Sequence, residues 1–349
     1  MLVECLQCHS GRPLPIANSI NRYATPAFAE EAISCDRCHG DAAAHLNRPS
    51  RGSIVNPRKL APALRDSVCE QCHLSGVTRV LNPGKSFADF RPGQILEDVY
   101  TTYVADSSDA FKVVSHSEQL ARSQCSLQSK GRMWCGSCHN PHSENPSYRQ
   151  QCLSCHARQF PASHPPKSSN CLPCHMPKRE ADDGGHTAFT DHWIKRRPSA
   201  QTGTAKAKQL AAWREPHADY RTRNLALALG DYKLLLEAQK RFPADPAVLS
   251  GIGTALQTRG DSRSAAKMFE RVIELRPSDP LAEENAGMAW LEAGEKEIAS
   301  RHLERALALD PLLLPDIEAL QKIYRETGDQ EKETALMNRV RQAMQTRPK

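Results

Sequence analysis

The chain is poor in the residues that usually fill a protein interior. Aromatics make up 5% of its 349 residues and the hydrophobic fraction is 39%, which is thin for a self-sufficient core over residues 1–195. No apolar run approaches the length of a membrane-spanning helix, so no helical span is expected in this chain. No strong charge of one sign is present either, with 46 basic residues against 40 acidic ones. Clusters such as Lys195-Arg196-Arg197 lack the interleaved aromatics and motifs of a nucleic-acid footprint, and nucleic-acid binding is set aside. Only four residues precede Cys5, and they hold no charged segment followed by an apolar run. A secretory signal is therefore absent from the chain as written, and the abrupt start is expected to be a truncated or mis-assigned one. Cysteine, finally, is missing beyond Cys174.

Before that point cysteine is abundant, and twelve of the 13 fall into one pattern. Cys5-Leu-Gln-Cys8-His9 is the first of six Cys-x-x-Cys-His pentapeptides. The others run Cys35–His39, Cys69–His73, Cys135–His139, Cys152–His156 and Cys171–His175. Each reads as a c-type haem attachment site. Two thiols on a short loop, Cys5 with Cys8, Cys35 with Cys38, Cys69 with Cys72, Cys135 with Cys138, Cys152 with Cys155 and Cys171 with Cys174, add to one porphyrin edge. The adjacent His9, His39, His73, His139, His156 or His175 then lies under the iron as its proximal ligand. Zinc ribbons share the paired cysteines but need no histidine directly after the second, and a disulfide scaffold would vary the spacing. The expected cofactor is haem c at six sites. Cys125 fits no pentapeptide and reads as a buried or free thiol. Six porphyrins would also supply the missing apolar interior, leaving short helices and turns around them.

Haem revises the charge balance. Two propionates per haem add about −12, offset by about +6 from ferric iron, so the holoprotein sits near neutral or mildly acidic. Covalent attachment takes place outside the bacterial cytoplasm, which points to a periplasmic or otherwise exported protein.

Of the 14 histidines, six are proximal, and His217 and His302 lie in the C-terminal region as ordinary surface or packing residues. The remainder, His45, His116, His142, His164, His186 and His192, are candidate distal ligands. Bis-histidine ligation closes both axial positions and makes a haem an electron carrier. His142, in Cys138-His-Asn-Pro-His142, stands rigidly beside one haem and within reach of a neighbour's iron. Met133 and Met176 are conceivable thioether ligands, although Met176 follows His175 too closely to cross that haem.

Three segments follow along the chain: 1–195 as the multihaem domain, 196–215 as a linker, and 216–345 as a repeat domain. In the first, Phe111–Val114 suggests a short strand and Ile95–Val104 an apolar stretch for packing on a haem face. The linker, Pro198-Ser-Ala-Gln-Thr-Gly-Thr-Ala-Lys-Ala-Lys, is small, polar and without hydrophobic periodicity. Beyond it Gly260, Gly294 and Gly328 recur every 34 residues, each followed by Asp or Glu, which is the tetratricopeptide period. Leu249, Ile252, Gly253, Ala255 and Leu256 line the first helix of one repeat with Ala265, Phe269 and Val272 on the second, and Ala286, Gly287, Ala289 and Trp290 precede Ala299, Leu303 and Ala306 in the next, small residues letting helices approach and large ones filling the gaps. An earlier degenerate pair turns at Gly230. The fold class expected is mainly α: a loop-rich multihaem cytochrome c domain followed by an α-solenoid of tetratricopeptide repeats. Such arrays usually present a concave docking surface, so a redox partner protein is expected there.

The segments Cys35-Asp-Arg-Cys-His-Gly-Asp-Ala-Ala-Ala-His45, Cys135-Gly-Ser-Cys-His-Asn-Pro-His142 and Cys171-Leu-Pro-Cys-His-Met-Pro177 resemble the multihaem cytochromes related to cytochrome c nitrite reductase, hydroxylamine oxidoreductase and the tetrahaem cytochrome of ammonia oxidisers. Thr187-Ala-Phe-Thr-Asp-His192-Trp-Ile, leading into the repeats, resembles bacterial proteins that fuse the two modules. The resemblance implies His45, His116, His142, His164, His186 and His192 as distal ligands. It also implies two functional classes: an electron carrier, or an oxidoreductase of a small nitrogen or sulfur compound at a haem with an open axial site. The nitrite reductases of this group use Cys-x-x-Cys-Lys at the active haem, which does not occur here, and no counterpart of the cross-linking tyrosine of hydroxylamine oxidoreductase is identified. No catalytic residue is assigned, and the carrier is the expected function.

Overall fold

A computed structural model describes residues 3–16, 22–50, 52–105, 110–143, 148–156, 164, 170–185, 187–196 and 209–345. The chain divides into two compact units. One comprises residues 1–6, 12–31 and 218–349, the other 7–11 and 32–217. The fold is mainly helical, and no helix among the described residues is long and apolar enough to cross a membrane.

In the cysteine-rich unit most elements are short and several carry an attachment motif. α1 (Val3–His9), α2 (Asp36–His39), α4 (Pro62–His73), α7 (Tyr148–His156) and α8 (Leu172–His175) each end on the motif histidine. The reason is steric and electrostatic together. A Cys-x-x-Cys loop wound as one helical turn puts both sulfurs on one side, and a terminal imidazole meets the negative end of the helix dipole. α3 (Ala43–Asn47), α5 (His116–Ala121) and α6 (Gln124–Ser129) complete the helices here.

The stretch between the third and fourth motifs builds an ordinary protein core. β3 (Thr78–Leu81) pairs antiparallel with β4 (Tyr100–Ala105), and Leu74, Phe90, Leu96, Val99 and Tyr100 bury together, with Phe87, Leu81 and Trp213 against them. The expected apolar stretch Ile95–Val104 is therefore mostly strand and core. Phe111–Val114, by contrast, forms a turn and not a strand. The carboxylates of Asp182 and Asp183 accept from the Phe111 and Val113 amides at 2.8 Å each, which takes the donors a strand would use.

The expected linker also needs correcting at its C-terminal end. Residues 197–208 lie outside the described residues, but β5 (Leu210–Ala212) adds to β4 as a third strand. Trp213 and Arg214 then reach into the unit: the Trp213 indole donates to Glu70 Oε1 at 3.1 Å, and Arg214 pairs with Glu70 and, at 3.6 Å, with Glu97. Composition reads this segment as loose because its ladder hydrogen bonds come from a strand about a hundred residues away.

In the other unit, antiparallel β1 (Arg12–Pro15) and β2 (Tyr23–Glu30) form a hairpin. The rest is helical: α9 (Arg221–Leu229), α10 (Tyr232–Arg241), α11 (Pro246–Thr258), α12 (Ser262–Leu275), α13 (Pro280–Glu292), α14 (Lys296–Leu309), α15 (Leu314–Thr327) and α16 (Gln330–Gln345). Each helix packs on its sequence neighbour. Gly230, Gly260, Gly294 and Gly328 all have positive φ, 61° to 84°, at the turns between α9 and α10, α11 and α12, α13 and α14, and α15 and α16. That left-handed conformation is why the period is marked by glycine. Asp231, Asp245, Asp261 and Asp279 cap the following helices through side-chain bonds to backbone amides.

Two other glycines set the helix spacing. A Cβ on Gly253 would lie 2.7 Å from the Phe269 ring, and one on Gly287 would lie 2.7 Å from Leu303. The continuous core of Phe269, Ala286, Trp290, Leu303, Ile317, Leu320 and Tyr324 follows from that approach. His302 packs in this core, its Nδ1 2.7 Å from Glu283, whose other oxygen accepts from Arg305 at 3.1 Å. His217 is exposed.

Candidate functional site

The histidines of the cysteine-rich unit come together in a specific way: motif imidazoles meet non-motif ones. His39 faces His142 with ring centroids 5.8 Å apart and planes at 25°; His139 faces His192 at 6.1 Å and 25°; His164 faces His175 at 6.1 Å and 7°. His73 meets His116 edge-on at 5.0 Å, and His116 also touches His192 at 4.5 Å. Two metal–nitrogen bonds of about 2 Å plus the depth of each ring give roughly 6 Å between imidazoles on opposite sides of one metal. The facing pairs have that span.

Tautomers strengthen the fit. Nδ1 of His39 lies 2.7 Å from the Val55 carbonyl, Nδ1 of His175 2.7 Å from the Lys195 carbonyl, and Nδ1 of His192 2.9 Å from the Thr190 carbonyl. A carbonyl only accepts, so Nδ1 carries the proton and donates, which leaves Nε2 with its lone pair free for a metal. His45 reaches the same state by another route. Its Nδ1 is 2.8 Å from Ser53 Oγ, which spends its own proton on the Ser50 carbonyl.

His192 is held by groups that sequence reasoning missed. Ser123 Oγ donates to the His192 carbonyl at 3.1 Å and accepts from the Ile194 amide at 2.8 Å. The fully buried Asp191 accepts from the Trp193 amide at 2.8 Å and pairs with Arg179 at 3.3 Å and Lys195 at 4.0 Å. Arg122 stacks on the Trp193 ring at 3.8 Å. The Asp-His dipeptide was the available signal; Ser123 had none.

Burial keeps two of these imidazoles neutral. Burial pushes His116 down to about 4, helped by the neighbouring His192 and His73, and burial also lowers His192. An imidazole that resists protonation is one able to bind metal at neutral pH.

The twelve described cysteines are free thiols, and those of different motifs lie side by side: Cys8 with Cys72, Cys69 with Cys135, Cys152 with Cys171. Cys125 is half-buried, and burial raises its thiol. Among the described residues no group of three or more His, Cys, Asp or Glu converges as a metal cage. The paired thiols with the histidine that follows them would hold a porphyrin, and the facing imidazoles would supply nitrogen donors to its iron.

Not every candidate joins this arrangement. His45 is turned to Ser53, and His9 and His156 are exposed, with no facing imidazole among the described residues. His186 and the side chain of Cys5 lie outside the described residues.

No family model and no curated protein matches the chain. Among solved structures it is similar to a point mutant of MamA, at 20% identity over 36% of this chain and 80% of that one, with a TM-score of 0.31. It is also similar to MamA AMB-1, at 19% over 38% and 78% with a TM-score of 0.32, and to a further MamA crystal structure at 13% over 37% and 87% with 0.29.

Proposed function

We propose that this chain is a multihaem c-type cytochrome that carries electrons along closely spaced haems in the periplasm or another exported setting, with the repeat unit docking a redox partner protein. The observation that supports it most directly is the partnering of His39 with His142, His139 with His192 and His164 with His175, each a motif histidine opposite a non-motif one. Haem iron supplies the one-electron chemistry. The chain's own residues do the rest: paired thiols anchor the macrocycle edge, and Val55, Lys195 and Thr190 orient the imidazoles through Nδ1. With both histidines of such a pair bound to one iron, no coordination site would be left there for a substrate.

The test is the spectrum and ligand chemistry of the purified holoprotein. Six haems per chain by pyridine haemochrome, all low-spin and inert to carbon monoxide, nitrite and hydroxylamine, are expected. A high-spin fraction that binds those ligands would overturn the pure carrier in favour of an oxidoreductase of a small nitrogen or sulfur compound. The exposed His9 and His156 are then the first places to look for its open axial site.

A further inference from the structure

In the repeat unit, one stripe of each second helix is covered by the helix that follows. Phe269 and Val272 of α12 and Leu303 and Ala306 of α14 are all buried, with α13 and α15 packed against those helices. α16 carries the same stripe 34 residues further on, Met337 corresponding to Leu303 and Val340 to Ala306, with Met344 one turn beyond. It is the last of the described helices, and there the stripe is bare. Met337 is 37% exposed and Met344 65%, where Leu303 is 0%; Val340 is half-buried. A solenoid end that faces water carries a polar outer surface, and this one presents two methionines instead.

The charges on that stripe say what fits it. Glu333, Met337 and Arg341 recur every four residues, so they follow one another along one face of α16. They are an acid, an apolar centre and a base, each charge about 6 Å along the helix from Met337. A two-fold axis through Met337 lays α16 antiparallel on its copy and turns this pattern onto itself. Met337 then meets Met337, and each Glu333 meets Arg341 of the second copy. The helix dipole favours acid first and base last, but it does not require equal spacing about an apolar residue. The three side chains are also held in place. Gln321 Nε2 donates to Met337 Sδ at 3.0 Å, Arg341 Nη1 to Asn338 at 3.2 Å, and Arg325 to Oε1 of Glu333 at 2.6 Å. That leaves Oε2 of Glu333 to accept from a second guanidinium.

We propose that α16 is a homodimer interface: two copies of the chain pair antiparallel about Met337, burying the stripe of Met337, Val340 and Met344 between reciprocal Glu333–Arg341 ion pairs. One helix on its copy lies at the small end of specific interfaces, roughly 1,200 Å² in total or less, so the dimer is reversible and depends on concentration. The interface is independent of the electron-carrier reading and needs no haem.

Sedimentation velocity of the purified full chain, with reductant present, should pass from monomer to dimer between about 2 and 200 μM at low salt. Met337→Glu sets two carboxylates face to face on the axis and should weaken association about 30-fold or more. Glu333→Arg and Arg341→Glu should each weaken self-association about fivefold or more, since each puts like charges opposite one another. Mixed in equal amounts, those two variants should form a heterodimer within about threefold of wild-type strength, because every ion pair is again acid to base. A chain still monomeric at about 200 μM would overturn the interface, as would a dimer that Met337→Glu leaves intact. Single charge variants that self-associate like the wild type, or a mixture that does not pair, would overturn the antiparallel arrangement. Circular dichroism checks that each variant folds; if Met337→Glu does not, the mixed pair decides the matter.

Discussion

In the repeat unit, Phe269 and Leu303 stand 34 residues apart and do the same work against Gly253 and Gly287. In the cysteine-rich unit copies of one pentapeptide have different sequence partners among the described residues. His39 donates to the Val55 carbonyl, His175 to that of Lys195, and His139 lies beside Tyr148. Both units repeat a sequence pattern, but only one repeats a structure. The difference lies in what each pattern encodes. A tetratricopeptide period specifies how one helix pair buries itself on the next, so the copies stack and resemble each other. A Cys-x-x-Cys-His motif specifies only how the chain grips a cofactor, and leaves its environment to whatever lies nearby.

The harshest test of this contrast withholds the cofactor. Expressed without covalent haem attachment, the full chain should lose the cooperative unfolding of residues 32–217 while the repeat unit keeps its own. Limited proteolysis should leave a resistant fragment from about residue 218 onward, and circular dichroism should retain one helical melting transition. Two surviving transitions would mean that the cysteine-rich unit has a sufficient core of its own.

A smaller but still large effect is expected at the strap that replaces the end of the expected linker. Arg214→Ala leaves Glu70, 5% exposed and inside the third motif, with only the Trp213 indole. Burial already raises that carboxyl, with the Arg214 charge opposing it. Removing the arginine should cost about 3–5 kcal/mol, read as a lower denaturation midpoint of the cysteine-rich unit with the repeat unit unmoved. No change would show that residues 213–214 are as dispensable as their composition suggests.

Within the repeats, Gly253→Val drives a side chain into Phe269 and should cost about 1–3 kcal/mol in urea denaturation followed at helical wavelengths. The same change at Gly287 should cost a similar amount, since Leu303 occupies the corresponding place. Unequal costs would show that the repeats are less alike in energy than in sequence.

The smallest expected effect is a pH dependence. Asp316 is fully buried near the start of α15, and burial, with Glu284 nearby, pushes its carboxyl up to about 8. Between its unfolded value near 4 and that folded value, the folded chain binds the extra proton. Its contribution is therefore complete at low pH and lost as pH rises toward and through about 8. The repeat unit should be less stable at about pH 9 than at about pH 5, and Asp316→Asn should flatten that slope and add about 1–3 kcal/mol at the higher pH. An unchanged slope in the variant would place the dependence elsewhere.

Legibility in the sequence followed the range of the interactions. The turns at Gly230, Gly260, Gly294 and Gly328 were readable because each is decided within a few residues. The proposed reach of His142 toward a neighbouring motif was readable because its place beside His139 is local. Its partner was not, since His39 lies about a hundred residues away. The docking of residues 210–214 was hidden for the same reason, and Phe111–Val114 misled because Asp182 and Asp183, far along the chain, take its amides.

By itself the sequence determined that six loops share one Cys-x-x-Cys-His pattern and that a helical repeat with a 34-residue period follows them, because both patterns are written in neighbouring residues. Only the tertiary structure decided which histidines face one another, and that Leu210–Ala212 pairs with the strand Tyr100–Ala105. Those outcomes depend on which distant groups can satisfy a buried amide or an imidazole proton, and folding settles that for all of them at once.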